Sequence, residues 1–126
     1  MTTVQSPGMT IGEAAARLGL TTHTLRYYES EQLLLGSPGR TAAGRRRYDE
    51  DDVRWIEMVQ RLRATGMPVR AIRAYAELCR AGAGNEDQRL AVLEAHRDEV
   101  RRHLAEVTDH LDAINHKIAG YRTVWG

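Results

Sequence analysis

A chain of 126 residues with a formal net charge of +1 has room for one compact domain and an appended helix. Its single cysteine, Cys79, excludes an internal disulfide and fits a reducing cytosol, and no run approaches the roughly 20 apolar residues that cross a bilayer. A cytoplasmic protein with no membrane partner is expected, and the charge is uneven: residues 1–80 hold 12 Arg against 9 Asp/Glu, residues 81–126 hold 6 Arg/Lys against 8 Asp/Glu.

Residues 1–8 lack the basic and apolar stretches of a signal peptide and are expected to form a disordered tail. Thr10 with Glu13 reads as a capping box, and Ile11, Ala14, Ala15 and Leu18 give the apolar face of a short helix that Gly19 ends. Thr21 and Thr22 restart the chain into a second helix reaching about Glu31, with Leu25 and Tyr28 toward the core. Two short helices around a glycine turn form the helix-turn-helix pattern. Gly36, Pro38, Gly39 and Gly44 then break helicity, and Leu33–Leu35 is expected to pair with Arg46–Tyr48 as a short hairpin, a wing with Arg40–Gly44 at its tip. Asp49–Asp52 starts a third helix that turns Val53, Ile56, Val59 and Leu62 inward. Gly66-Met67-Pro68 breaks it, and a fourth helix carries Val69, Ile72, Tyr75, Ala76 and Cys79.

The last element has the clearest period. Alternating steps of three and four from Leu90 reach Leu93, Arg97, Val100, Leu104, Val107, Leu111, Ile114 and Ile118, a heptad seam that only Arg97 interrupts. A helix over residues 85–119 would be ~50 Å long. Either a second copy covers this stripe, antiparallel pairing giving a two-fold dimer, or the helix folds back on its own head. The expected organisation is a DNA-binding domain over 9–81, a dimerisation helix over 82–119 and a short tail over 120–126. The dimer contacts are Leu93, Val100, Leu104, Val107, Leu111, Ile114 and Ile118.

Arginine and tyrosine cluster in the head. Thr22-His23-Thr24-Leu25-Arg26-Tyr27-Tyr28 leads to Arg40 and then to Arg45, Arg46 and Arg47. Guanidinium forks pair with phosphate oxygens, and a phenol adds a hydroxyl donor on a flat apolar body, so the cluster suits a nucleic-acid backbone. No nucleophile–base pair, paired carboxylates or phosphate-cradling glycine loop accompanies it, and no enzyme is expected. A coiled-coil interaction protein whose basic head binds another macromolecule is the alternative.

The ordered set Met9–Ala14, Leu25-Arg26-Tyr27-Tyr28-Glu29, Leu33-Leu34, Arg40, Gly44–Tyr48, Asp52-Val53 and Leu62-Arg63 with Gly66-Met67-Pro68 resembles the MerR family of bacterial transcription regulators over residues 9–119. The resemblance is nearest to the small, short-C-terminus, aldehyde- and nitrosative-stress branch. It implies a mainly α fold: a winged helix-turn-helix head, a helix pair and a long antiparallel coiled-coil helix. It further implies that Thr22 and His23 enter the major groove, that Arg26, Tyr27, Tyr28, Arg40, Arg46 and Arg63 meet the DNA backbone, and that one tyrosine packs inside. Arg45 stands where the family carries an aromatic, and Gln32 where it carries a glycine. The implied partners are double-stranded promoter DNA, a second copy and, indirectly, RNA polymerase, through distortion of an overlong promoter spacer.

No cofactor is expected. One cysteine cannot build a thiolate metal site, and the residues after Ile118 hold neither Cys nor His, so no metal is expected; nor is a drug-binding domain expected in the eight residues after Ile118. Cys79 is either a redox thiol or a structural residue on an apolar helix face. His96, His103 and His110 recur every seven residues, ~10 Å apart along one helix, either as solvated flanks or as groups that meet across a dimer.

Overall fold

Thr10 sets the start of the first helix, α1 (Ile11–Leu18): its hydroxyl accepts from the Glu13 amide and the Glu13 carboxylate accepts from the Thr10 amide, both at 3.1 Å. Those bonds hold the Glu13 carboxyl below its ordinary pKa. The computed structural model describes residues 8–36, 39–40 and 46–125, with the backbone alone at Gly39, Arg40 and Arg46. The expected tail, Gly8 apart, and Arg45 lie outside the described residues.

Helix α2 (Thr22–Ser30) is capped by Thr21, whose hydroxyl accepts from the Thr24 amide at 3.0 Å. Strands β1 (Gly39–Arg40) and β2 (Arg46–Arg47) pair antiparallel, Gly39 opposite Arg47 and Arg40 opposite Arg46. Helix α3 (Glu50–Ala64) begins with a second reciprocal box, Asp49 with Asp52. Pro68 precedes α4 (Val69–Arg80), and α5 runs from Glu86 to Trp125. The helix order therefore follows the reading of the sequence, with two corrections. Leu33–Leu35 is not the first strand: Leu33 and Leu34 are buried, and the partner of Arg46–Arg47 is Gly39–Arg40. The last helix does not stop at Ala119; it continues through Gly120, so 120–125 is helix and not a tail.

Two compact units result, Met1–Arg89 and Leu90–Gly126. In the first, Leu25 and Tyr28 of α2, Val53, Ile56, Val59 and Leu62 of α3, and Ile72 and Ala76 of α4 close one core with Leu33, Tyr48 and Met67. Tyr48 is fully buried and exchanges backbone hydrogen bonds with Met9 at 2.7 and 2.8 Å, which ties the start of the head to the end of β2. Arg17 grips Glu50 with both guanidinium nitrogens and joins α1 to α3, lowering the Glu50 carboxyl pKa. Gln60 donates to the Leu18 carbonyl at 2.8 Å, satisfying the end of α1.

The end of α2 is the most constrained turn. Gln32 donates to the Glu29 carbonyl at 3.0 Å and Leu33 to the Tyr28 carbonyl at 3.0 Å, the two bonds of a Schellman motif. Helix α1 ends the same way at Gly19, φ +70°. At the matching position of α2 stands Gln32, φ +61°, the only described non-glycine residue with positive φ. A side chain there crowds its own backbone at a cost of about 1–2 kcal/mol. Four successive carbonyls around it are held from α3 and α4. Trp55 donates to Leu33 at 2.7 Å, Arg73 to Glu31 at 2.8 Å, and Arg80 to Gln32 at 3.2 Å and to Leu34 at 2.5 Å. The Trp55 ring also stacks on Tyr75, centroids 5.7 Å apart.

The second unit is a bare helix. None of its described side chains is buried, and Leu104, Val107, Leu111, Ile114, Ile118, Tyr121 and Trp125 are exposed, while Leu93 and Val100 are half-buried. Replacing Gln32 with Gly should raise the unfolding free energy by about 1 kcal/mol through relief of the left-handed residue. Urea denaturation should show a higher midpoint at unchanged slope.

Candidate nucleic-acid interface

The geometry of α2 divides the Arg/Tyr cluster by face. Leu25, fully buried, and Tyr28, 7% exposed, occupy the inward face, and His23, Arg26, Tyr27 and Ser30 fall at helical spacing on the outward one. Thr22 is half-buried at the helix start. The tyrosine pair is split: the Tyr27 ring is 42% exposed, 6.3 Å by centroid from the Tyr28 ring, whose burial corrects the expectation that Tyr28 meets the DNA backbone. Burial raises the Tyr28 phenol pKa, and the charge of Arg63 opposes that rise. Tyr28 thus serves the core with its ring.

Most of the head arginines whose side chains are described are already engaged. Arg17 holds Glu50, Arg54 holds Asp51, and Arg73 and Arg80 hold the α2 turn. Arg47 donates to the Gly8 carbonyl at 3.3 Å and so anchors the chain start. Arg63 donates to the Met67 carbonyl at 3.3 Å, bracing the turn between α3 and α4 while staying exposed. Arg26, in contrast, has neither hydrogen bond nor ion pair among the described residues and projects from the outward face of α2. Arg70, exposed on the first turn of α4 and likewise unengaged, was not singled out in the sequence; its place two residues after Pro68 is the signal that could have found it. The backbone register sets Arg40 opposite Arg46, and their side chains lie outside the described residues, as does all of Arg45.

Cys79 sits half-buried on α4, and burial raises the Tyr75 phenol pKa, with the neighbouring Cys79 thiol adding to the rise. No group of three His, Cys, Asp or Glu side chains poised for a metal ion occurs among the described residues. His103 lies 3.9 Å from Glu106 on its own helix. No described helix is long and apolar enough to cross a membrane.

A capped helix pair in which the second helix bares its N-terminal face, followed by an antiparallel strand pair, places the chain in the class of helix-turn-helix DNA-binding proteins. The MerR HTH regulatory-protein family model matches residues 9–79, and a MerR DNA-binding model matches residues 53–117. The chain belongs to the MerR family. An HTH-type transcriptional regulator of Haemophilus influenzae, itself uncharacterized, is 34% identical over 113 residues, spanning 90% of this chain and 83% of the relative. The regulator AdhR of Bacillus subtilis is 36% identical over 85 residues, 68% of this chain and 60% of its own. Among solved structures, HiNmlR, a MerR family regulator lacking the sensor domain, bound to promoter DNA, superposes with a TM-score of 0.82 at 33% identity over 90% of both chains. A MerR-type regulator from Listeria monocytogenes reaches 0.88 at 29% identity, over 92% of this chain and 87% of that one.

The protein is accordingly a MerR-type DNA-binding transcriptional regulator and not an enzyme; MerR regulators are homodimers. The reading as an interaction protein with a basic head gives way to this one. Replacing Tyr28 with Ala should cost about 3 kcal/mol of head stability, because the ring is enclosed. Tyr27→Ala should stay within about 0.5 kcal/mol. Thermal unfolding followed by circular dichroism checks both.

Proposed function

We propose that this regulator works as a cytoplasmic homodimer, joined by antiparallel α5 helices, and carries two α2 helices to the two halves of a pseudo-palindromic promoter site. Thr22 and His23 face base edges in the major groove, and Arg26 and Tyr27 meet phosphates beside them. Arg40, Arg45 and Arg46 reach the backbone from the β1–β2 hairpin acting as a wing, and Arg63 does so from the α3–α4 turn. Residues 9–81 serve as the DNA-binding part and residues 82–119, which contain most of α5, as the dimerisation part. RNA polymerase is affected indirectly: the dimer bends and untwists the spacer so that both promoter elements come into register.

The observation that carries the reading is Arg26. It is exposed and unengaged, next to exposed His23 and Tyr27, on a helix whose opposite face is fixed in the core by Leu25 and Tyr28. The co-crystal of HiNmlR with promoter DNA supports a duplex as what lies against that face. Phosphate contacts supply salt-sensitive affinity and base contacts supply choice of sequence.

Two experiments test this. Arg26→Ala should weaken binding to every duplex about equally and reduce the salt slope by about 1 per contact, whereas His23→Ala should cost about 1–3 kcal/mol of discrimination between the site and mismatched duplexes. Salt-dependent footprinting on the promoter of the chain's own gene gives the readout. A footprint without two-fold symmetry, or Arg26→Ala binding at full strength, refutes the assignment. Leu104→Lys with Leu111→Lys places charges in the seam and should yield monomers in sedimentation equilibrium, with the head still folded.

A further inference from the structure

The corner between α4 and α5 is bonded across. The last turn of a helix leaves carbonyls without partners, and at the end of α4 two of them are met locally: the Ala81 amide donates to Glu77 at 3.0 Å and the Gly82 amide to Cys79 at 3.3 Å. The Leu78 carbonyl between them is met from the start of α5, where the Asn85 side-chain amide donates to it at 2.8 Å. Arg89, one turn into α5, donates to the Asn85 side-chain oxygen at 2.6 Å and to the Gly82 carbonyl. The Gly84 amide in turn donates to the Glu86 carboxylate at 2.9 Å.

Asn85 stands immediately before α5, and its backbone carbonyl accepts from the Arg89 amide at 3.0 Å, as that of an N-cap residue does. An asparagine side chain at that place ordinarily accepts from an amide of the first helical turn. Here the side-chain oxygen is taken by Arg89 and the side-chain amide by Leu78; among the described residues it accepts from neither the Asp87 nor the Gln88 amide. The side chain does not cap its own helix. It ties the first turn of α5 to the last turn of α4, and both Asn85 and Arg89 are half-buried there.

The same end of α4 holds α2. Arg80 donates to the Gln32 and Leu34 carbonyls, and Arg73, earlier on α4, to the Glu31 carbonyl. A continuous path of hydrogen bonds and helix therefore joins Arg89, Asn85, Leu78 and Arg80 to the end of α2, all of it within the unit Met1–Arg89. Without the cross-bonds the corner would rest on Gly82 and Gly84, both at positive φ, and glycine has the widest choice of backbone angles.

Stiffness at this corner bears on which DNA sites fit. A dimer meets two half-sites at once, and one added base pair shifts a half-site by about 3.4 Å and turns it by about 35° around the duplex. A head on a loose corner follows that displacement; a head on a braced one does not. We infer that Asn85 is a positioning residue for DNA recognition: touching no DNA, it braces the α4–α5 corner and makes the dimer select one separation of half-sites. The inference rests on the dimer and the pseudo-palindromic site of the preceding subsection and adds what sets the accepted separation.

Asn85→Asp is the deciding variant. Aspartate caps a helix as well as asparagine and still accepts from Arg89, but it has no N–H for the Leu78 carbonyl. Fluorescence anisotropy would compare the footprinted promoter site with the same duplex carrying one base pair more or one fewer at its two-fold centre. The parent should bind the altered duplexes on the order of 10-fold more weakly, and Asn85→Asp should narrow that ratio to about three-fold. A merely structural role would weaken binding to all three duplexes alike and leave the ratio where it was. A narrowed ratio supports the inference and an unchanged one overturns it. Asn85→Ala, which loses both side-chain bonds, should narrow the ratio at least as far and reads the same way. Equal binding of the parent to all three duplexes is a different failure: it rejects the two-fold site itself, and this inference with it.

Discussion

The capture of the carbonyls of Glu31, Gln32, Leu33 and Leu34 by Arg73, Trp55 and Arg80 is the constraint on which the head depends. A helix end leaves its last carbonyls without partners, and inside a protein each such group costs free energy unless a donor is found. Here the donors come from α3 and α4, so the turn that ends α2 is fixed to the two helices behind it. Leu25 and Tyr28 then close the core from α2, and the opposite face, with His23, Arg26 and Tyr27, has no freedom of direction left. The DNA-facing surface is a by-product of how the back of the helix is held.

Charge usage in the head follows the same logic. Arg17, Arg47, Arg54, Arg73 and Arg80 look alike in sequence to Arg26, yet each has a partner within the fold. A guanidinium held by a partner in the fold must give up that partner or its position to meet a phosphate, while an unengaged one simply gains a charge-assisted bond. Helix α5 is the opposite case. It makes no core of its own, and a row of exposed leucine, valine and isoleucine on a lone helix is stable only when another surface covers it.

Local signals were legible in the sequence and non-local ones were not. Both capping boxes, Thr10 with Glu13 and Asp49 with Asp52, were written in spacing three, and the inward residues of α3 in the helical period. The split between Tyr27 and Tyr28 followed from the same period. Leu33-Leu34-Leu35 misled, because a short apolar run fits a strand or a buried turn equally well. What decides it is the donor set from Trp55 and Arg80, 22 and 46 residues away from the carbonyls they hold. The end of α5 misled for another reason. Gly120 has the look of a stop, but a Cβ there would meet open space and its φ is not left-handed, so the helix carries on. Engagement of individual arginines could not be read at all, since it depends on which acid or carbonyl the fold brings alongside.

Gln32 carries a consequence for how this turn can change over generations. A glycine at that place holds the turn by its own conformational freedom; a glutamine holds it only while the donors around it keep the chain in place. Loss of Arg80 and the identity of residue 32 are then not independent. The same Arg80 substitution would be tolerated in a background with glycine at 32 and harmful in this one, because the two positions share one turn. The effect of a substitution at either position is thereby conditional on the residue at the other.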